Sequence, residues 1–442
     1  MGITLIQKSD LNRPKKNPRV ALVLCGGAIS GGAFKLGGLI ALNSFLANRK
    51  TTDMNLYLGI SAGAFLSAPL AAGIPPEELF LSIRGESQKI SQFKPSDFYN
   101  PNLKEWMGKS FHAFRDTLAY VPRVSLTNAR YIRRNRRKLR ALAEDLVKRP
   151  SYKNLELLLE PMILQTLATN ELPPLYRYMP SGLFDNSRIE RFMRRNLERN
   201  GLPNTFRLMK LERNNELYIC ATDLNTAEGV VFGHDEDTSV TISQAVQAST
   251  AIPGFFKPAR FNGVDYLDAG VRKTANISLM VKKRADLIIC YNPFRPFVNT
   301  VSDQLTGELR SLGDMGFLSV LNQTFRTLLH TRLRVGLEKL KMDPSFKGDV
   351  IVIEPREQDA RYFNINPIAF WDRTRAALLG FKSVRASLEQ NYAKLVPLLR
   401  AYGMETDLDA LRENAMSLGL DSYGEDVEPM NMDVSSGLRL VR

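Results

Sequence analysis

A three-layer α/β fold built on a mainly parallel sheet is what this 442-residue sequence predicts, and three observations carry the prediction. Short, continuously apolar, β-branched runs recur along the chain, as in strands buried on both faces. Glycine-rich turns follow the first two runs, and helical patterns follow the turns, which is the order of repeated β-α units. Composition agrees, since 44% hydrophobic and 24% charged residues are ordinary for a packed globular chain, with no low-complexity tract or fixed-period repeat.

Taken in order, residues 1–18 read as a polar, basic arm without the apolar segment of a signal peptide, and Ile6 stands where a myristoylation pattern needs Ser or Thr. "RVALVL" is the first strand, "CGGAISGG" its glycine-rich loop, and "AFKLGGLIALNSFLANRK" the helix that follows. "NLYLGI" supplies the second strand. The run "LYLGISAGAFLSAPLAAG" that begins there meets Gly and Pro too early to cross a bilayer, which takes about 20 apolar residues. From about 75 to 175 strand signals fade and amphipathic stretches predict a helical insertion. The sheet pattern resumes with "ELYICATDL", "GVVFG", "ADLIICYN" and "DVIVIEP", with helices at "SRIERFMRRNLERN", "TISQAVQAS", about 303–341 and about 371–399. The domain is expected to span 19–404, with 405–442 a tail of loop composition.

The 60 Lys and Arg against 46 Asp and Glu give a formal charge of +14, which favours acidic partners such as nucleic acid or anionic lipid headgroups. Cys25, Cys220 and Cys290 show no C-x-x-C spacing and read as reduced core residues, pointing to a reducing compartment.

The chemistry centres on Gly59, Ser61 and Gly63. Strand, G-x-S-x-G, then helix is the order of a nucleophile elbow, in which a tight turn lifts a serine hydroxyl clear of the backbone. A serine needs a base and a stabiliser for the oxyanion it creates. His112, His234 and His330 are the only histidines, and none sits in a context matched to the elbow. Asp268, at the end of the strand-like "VDYL", is the candidate base instead. Oxyanion donors are expected from the Ala62 N–H at a helix start and from the loop residues Gly26, Gly27, Ala28, Gly31 and Gly32. That loop lacks both the G-K-[ST] ending of a P-loop and the spacing of a dinucleotide site. Asp223 in "ATDLN" reads as a structural turn residue. No cluster has metal-ligand spacing, so no metal and no cofactor is expected, and catalysis should be independent of calcium.

Four segments in this order, "ALVLCGGAISGGAFKLGGLIAL", "GISAGAF", "ATDLNTAEGVVF" and "ASTAIPGFFKPARFNGVDYLDAG", together resemble the patatin-like phospholipases over most of residues 19–295. The resemblance implies a patatin-like fold and a Ser-Asp dyad without histidine, with Ser61 as nucleophile and Asp268, Ala269 and Gly270 as the aspartate motif. It implies hydrolysis of acyl esters of glycerophospholipids. Two departures stand out. Ala28 replaces the third glycine of the family loop, where no Lys or Arg is present and one residue is inserted; Ala269 stands where glycine is common.

Acyl transfer to another alcohol would use the same dyad, and a catalytically dead lipid-surface or partner-binding module is the reading from a different class. The basic stretch "RYIRRNRRKLR", with Arg133, Arg134, Arg136, Arg137 and Arg140, is open to three readings: a solvated helix face, a nucleic-acid patch or a contact with anionic membrane. No RRM, KH, zinc-finger or helix-turn-helix signature accompanies it, which disfavours nucleic acid. The expected setting is cytoplasmic, at a membrane surface. The sequence is silent on oligomeric state.

Overall fold

The computed structural model describes residues 2–169, 178–300 and 311–417. Its strands are β1 (Ile3–Ile6), β2 (Val20–Leu24), β3 (Leu56–Ile60), β4 (Gly182–Phe184), β5 (Glu216–Asp223), β6 (Gly229–Gly233), β7 (Gly254–Phe256), β8 (Ala259–Phe261), β9 (Val264–Asp268), β10 (Leu287–Tyr291) and β11 (Asp349–Ile353). The glycine loop opens helix α1 (Ala28–Phe45) and the elbow opens helix α2 (Ala62–Ala71).

Two compact units are present: one of residues 1–100, 186–253 and 258–442, the other of 101–185 and 254–257. The first holds the large sheet. β11, β10, β2, β3 and β5 run parallel in that order, as the predicted β-α units require, and β1 closes one edge antiparallel to β11. One set of alternating residues, including Val23, Leu58, Cys220, Ile288 and Val352, packs with Met280 and Leu337 of the helices Ile277–Lys282 and Phe317–Met342. On the other face lies α1. It meets the helix Arg373–Gln390 so closely that a Cβ on Gly37 would sit 1.7 Å from the Ala377 carbonyl oxygen, and one on Gly380 would sit 1.9 Å from that of Phe34. Helix, sheet and helix form the three predicted layers.

Three terminal or boundary expectations are corrected. The first 18 residues are not only an arm, because Ile3–Ile6 pairs with β11; four residues are too few to show an alternation against a polar background. The stretch after 404 is not all tail: Leu408–Ser417 is a helix with Leu411 fully buried, and the Asp407 N–H donates to the Phe45 carbonyl at 2.8 Å. The C-terminal helix expected over 371–399 is two, Arg373–Gln390 and Tyr392–Ala401, separated at Asn391. The helix expected from 303 is described from Phe317, and 301–310 and 418–442 lie outside the described residues.

The second unit consists of the helices Leu103–Arg134, Arg136–Lys148 and Tyr152–Thr169 with the short parallel pair β4–β7. The predicted helical insertion is thus divided: Pro76–Arg84 and Pro95–Phe98 belong to the first unit.

Candidate active site

β5 brings the two key residues together. Its residues 218–222 pair with β6, so that edge is taken. The opposite edge is shared end to end: β3 occupies 216–220, with Ile60 beside Cys220, and β9 occupies 221–223, with Asp268 beside Ala221. β3 runs parallel to β5 and β9 antiparallel, so their C-terminal ends abut. Ser61, one residue beyond Ile60, therefore meets Asp268. Sequence reading placed Asp268 at the end of a strand and gave that strand no direction; the antiparallel run of β9 is what turns its last residue towards the elbow.

Ser61 adopts φ 56° and ψ −127°, a left-handed backbone that costs a non-glycine residue about 1–3 kcal/mol. The fold holds it there. Its N–H donates to Ser249 Oγ at 2.8 Å, and its carbonyl accepts the Ala64 N–H at 2.8 Å. The flanking glycines serve close approach rather than unusual dihedrals: a Cβ on Gly59 would lie 2.4 Å from Ala64 Cα, and one on Gly63 2.0 Å from the Leu24 carbonyl oxygen.

Asp268 is buried and shares a hydrogen bond with Ser61. Burial raises its carboxyl from the ordinary range to about 6, while the Ser61 hydrogen bond, the Gly270 N–H (2.8 Å to Oδ1) and the charge of Lys35 pull it back. A carboxylate so placed accepts protons near neutral pH. Ala269 and Gly270 form the 3-10 turn that returns this N–H to Asp268. No histidine lines the cleft containing Ser61; His330 faces Glu354 at 3.3 Å and His234 faces Asp235 at 3.5 Å. Asp223 accepts the Asn225 N–H at 2.8 Å in a local turn.

Gly26 sits against the nucleophile, its missing Cβ position 3.3 Å from Ser61 Cβ. At Gly27, φ is +150° and a Cβ would meet Gly31 Cα at 2.9 Å; Ala28 follows with φ 50°. Gly31 and Gly32 lie inside α1, and the Gly31 N–H is already given to Gly27 O at 2.8 Å. The N–H groups of Ile29 and Ser30 donate to the Pro367 carbonyl at 3.0 and 3.1 Å. Among the described residues, the N–H groups of Gly26, Gly27 and Ala28, and that of Ala62 at the first position of α2, have no acceptor. Sequence reading missed Lys35, which reaches back from α1 to this loop.

The cleft itself is apolar. Phe65, Phe93, Phe192 and Phe370 cluster with ring centroids 4.9–5.7 Å apart, and Arg373 packs its guanidinium 4.2 Å over Phe370. The arginines of the basic stretch are exposed on the second unit, on either side of a break at Asn135. Among the described residues no group of His, Cys, Asp or Glu could hold a metal ion, and no helix is long and apolar enough to cross a membrane. All three cysteines are buried, and burial raises the Cys220 thiol to about 11.

A serine on a strained strand-to-helix turn, hydrogen-bonded to a buried carboxyl at the floor of an apolar cleft, has the layout of a serine acyl hydrolase in an α/β sheet. A family model of patatin-like phospholipases matches residues 22–281, more than half of the chain. The chain belongs to the patatin-like phospholipase family, and its chemistry is that of lipid hydrolases. No match is found among curated proteins. Similar solved structures include VipD from Legionella pneumophila, at 14% identity and a TM-score of 0.35 over 88% of this chain and 70% of that one. ExoU from Pseudomonas aeruginosa, solved in complex with SpcU, is similar at 20% identity and a TM-score of 0.27 over 79% of this chain and 56% of its own.

Proposed function

We propose that this protein cleaves acyl esters of glycerophospholipids with a Ser61–Asp268 dyad, through an acyl-enzyme. The meeting of Ser61 and Asp268 at the abutting ends of β3 and β9 is the observation that carries this reading. Ser61 Oγ attacks the acyl carbonyl and its proton passes to Asp268; the C–O bond to the lipid alcohol breaks and the alcohol leaves with that proton. Water then attacks the acyl-enzyme as Asp268 takes its proton, the fatty acid departs, and the proton returns to Ser61. The aromatic cleft excludes water and offers apolar surface to the acyl chain. No metal or cofactor takes part.

A fluorophosphonate probe should label the wild type at Ser61 and leave Ser61→Ala unlabelled. Lipid products from mixed phospholipids should be free fatty acid and lysophospholipid, followed by mass spectrometry. A new ester in place of free acid would identify acyl transfer; absence of labelling would make the protein a binding module.

The exposed arginines Arg133, Arg134, Arg136, Arg137 and Arg140 lie on helices of the second unit that also expose Leu126, Ile132 and Val147 near them in sequence. Basic side chains beside exposed apolar ones suit an anionic membrane surface, to which each cation contributes about 1 kcal/mol. Changing the five to Gln should weaken flotation with anionic vesicles, less so as salt rises, while hydrolysis of a soluble short-chain ester persists. Equal flotation of both proteins would return the helix to a solvated face. In this reading the protein works peripherally on a cytoplasmic membrane surface.

A further inference from the structure

Lys35 takes no part in the dyad scheme, yet it is fully buried. It projects from α1, three residues past Gly32, and its Nζ donates to the carbonyls of Cys25 and, at 2.9 Å, Gly26. A buried ammonium is costly, and it persists where acceptors and charges are arranged around it. Here two successive carbonyls converge on one cation. In a trans peptide the N–H points opposite to the C=O, so the Gly26 and Gly27 N–H groups are turned away from Lys35. Consecutive N–H groups aligned in this way form an anion-binding concavity. These are two of the N–H groups without an acceptor among the described residues, and Gly26 adjoins Ser61 Cβ. The loop from Gly26 to Gly32 contains no Lys or Arg of its own.

We propose, building on the dyad reading, that Lys35 is the cation of the oxyanion site: a positioning residue that holds the Gly26 and Gly27 amides towards the tetrahedral intermediate and offsets its negative charge from behind the loop. The loop's missing basic residue is thereby supplied from the next turns of the helix.

The titratable groups facing Lys35 are Cys25 after β2, Cys290 on β10 and Asp268 at the end of β9; Glu354, after β11, lies beyond Cys290. Burial lowers the ammonium to about 7, against the opposing pull of these groups. Asp268, raised to about 6, faces Ser61, the Gly270 N–H and Lys35. The working state needs Asp268 ionised and Lys35 charged. Activity should therefore rise as pH passes about 6 and fall as it passes about 7, giving a narrow bell.

The test is the pH dependence of kcat and KM on a soluble short-chain ester for the wild type, Lys35→Met and Lys35→Arg, each checked for folding by thermal unfolding. Lys35→Met should lower kcat by about a hundredfold, the size of a lost oxyanion contribution, with KM nearly unchanged. Its alkaline limb should vanish, and its acid limb should move up because the Asp268 carboxylate has lost a neighbouring positive charge. Lys35→Arg, charged at every accessible pH, should recover part of kcat and carry its alkaline limb well above that of the wild type. A purely structural lysine would lower the rate and leave both limbs in place, and that result overturns the proposal. If Lys35→Met fails to fold, an unmoved alkaline limb in Lys35→Arg overturns it equally. Fluorophosphonate labelling run alongside separates the two readings: an unlabelled wild type ends both, whereas labelled Ser61 with an unmoved profile in the variants ends this one alone.

Discussion

The elbow at Ser61 and the loop at Ala28 both hold a non-glycine residue with positive φ beside the same cleft, 56° in one and 50° in the other. They are held by different means. The elbow is fixed mainly by close-packed backbone: β3 enters it, α2 leaves it, the Ala64 N–H closes on its carbonyl and two glycines let the surrounding backbone close in, while Ser249, 188 residues downstream, takes its N–H. The loop is fixed by polar partners instead: Lys35, from the helix it opens, on its carbonyls, and Pro367, from far downstream, on the N–H groups of Ile29 and Ser30. A strained turn can be enforced by backbone packed against it or by polar groups that reach it, and the first kind tolerates less change.

The largest effect should come from the pair that the elbow serves. Asp268→Asn keeps the shape but cannot accept the serine proton, and turnover should fall at least about a hundredfold, the lower range for loss of a general base. Single changes of His112, His234 and His330 to Ala should leave it. If one of those abolishes hydrolysis of a chromogenic ester and Asp268→Asn does not, the dyad is the wrong assignment.

Next comes Gly63→Ala, which sets a methyl 2.0 Å from a backbone oxygen at the end of β2. No side chain there can swing aside, so stability should drop by about 1–3 kcal/mol or more, read from the denaturant midpoint, and probe labelling should fall with it. An unchanged midpoint would mean that the elbow moves as freely as the loop. The smallest effect is expected at Ala28→Gly. Relief of the positive φ and the added freedom of the unfolded glycine nearly cancel, leaving stability within about 1 kcal/mol and turnover within about threefold. A loss well beyond that would show that the Ala28 methyl, on the cleft wall, packs more than it strains.

The contrast also sorts what the sequence disclosed. Ser61 and its glycines were legible because an elbow is written in consecutive residues. Asp268 was legible as a strand end, but the sharing of one β5 edge by β3 and β9 is a matter of register between strands distant in sequence, which no local pattern records. Lys35 was hidden for a different reason. In "AFKLGGL" a lysine reads as the polar face of a helix, and only the packing of α1 beneath its own loop buries it. β1 escaped through shortness, and Leu408–Ser417 because its composition resembles the loop that follows it.

The carbonyl of Pro367 has a consequence for synthesis. It ties the first turn of α1 to a segment more than 300 residues downstream, and β11, which precedes that segment, is the strand that joins β1 to β10. The serine, the aspartate and the glycine loop all leave the ribosome earlier than Pro367. Until that proline and the helix Arg373–Gln390 have followed, the Ile29 and Ser30 amides lack their acceptor and α1 lacks its partner. A growing chain thus carries the serine, the aspartate and the glycine loop well before it carries the site, and competence waits for Pro367 and the helix that follows it.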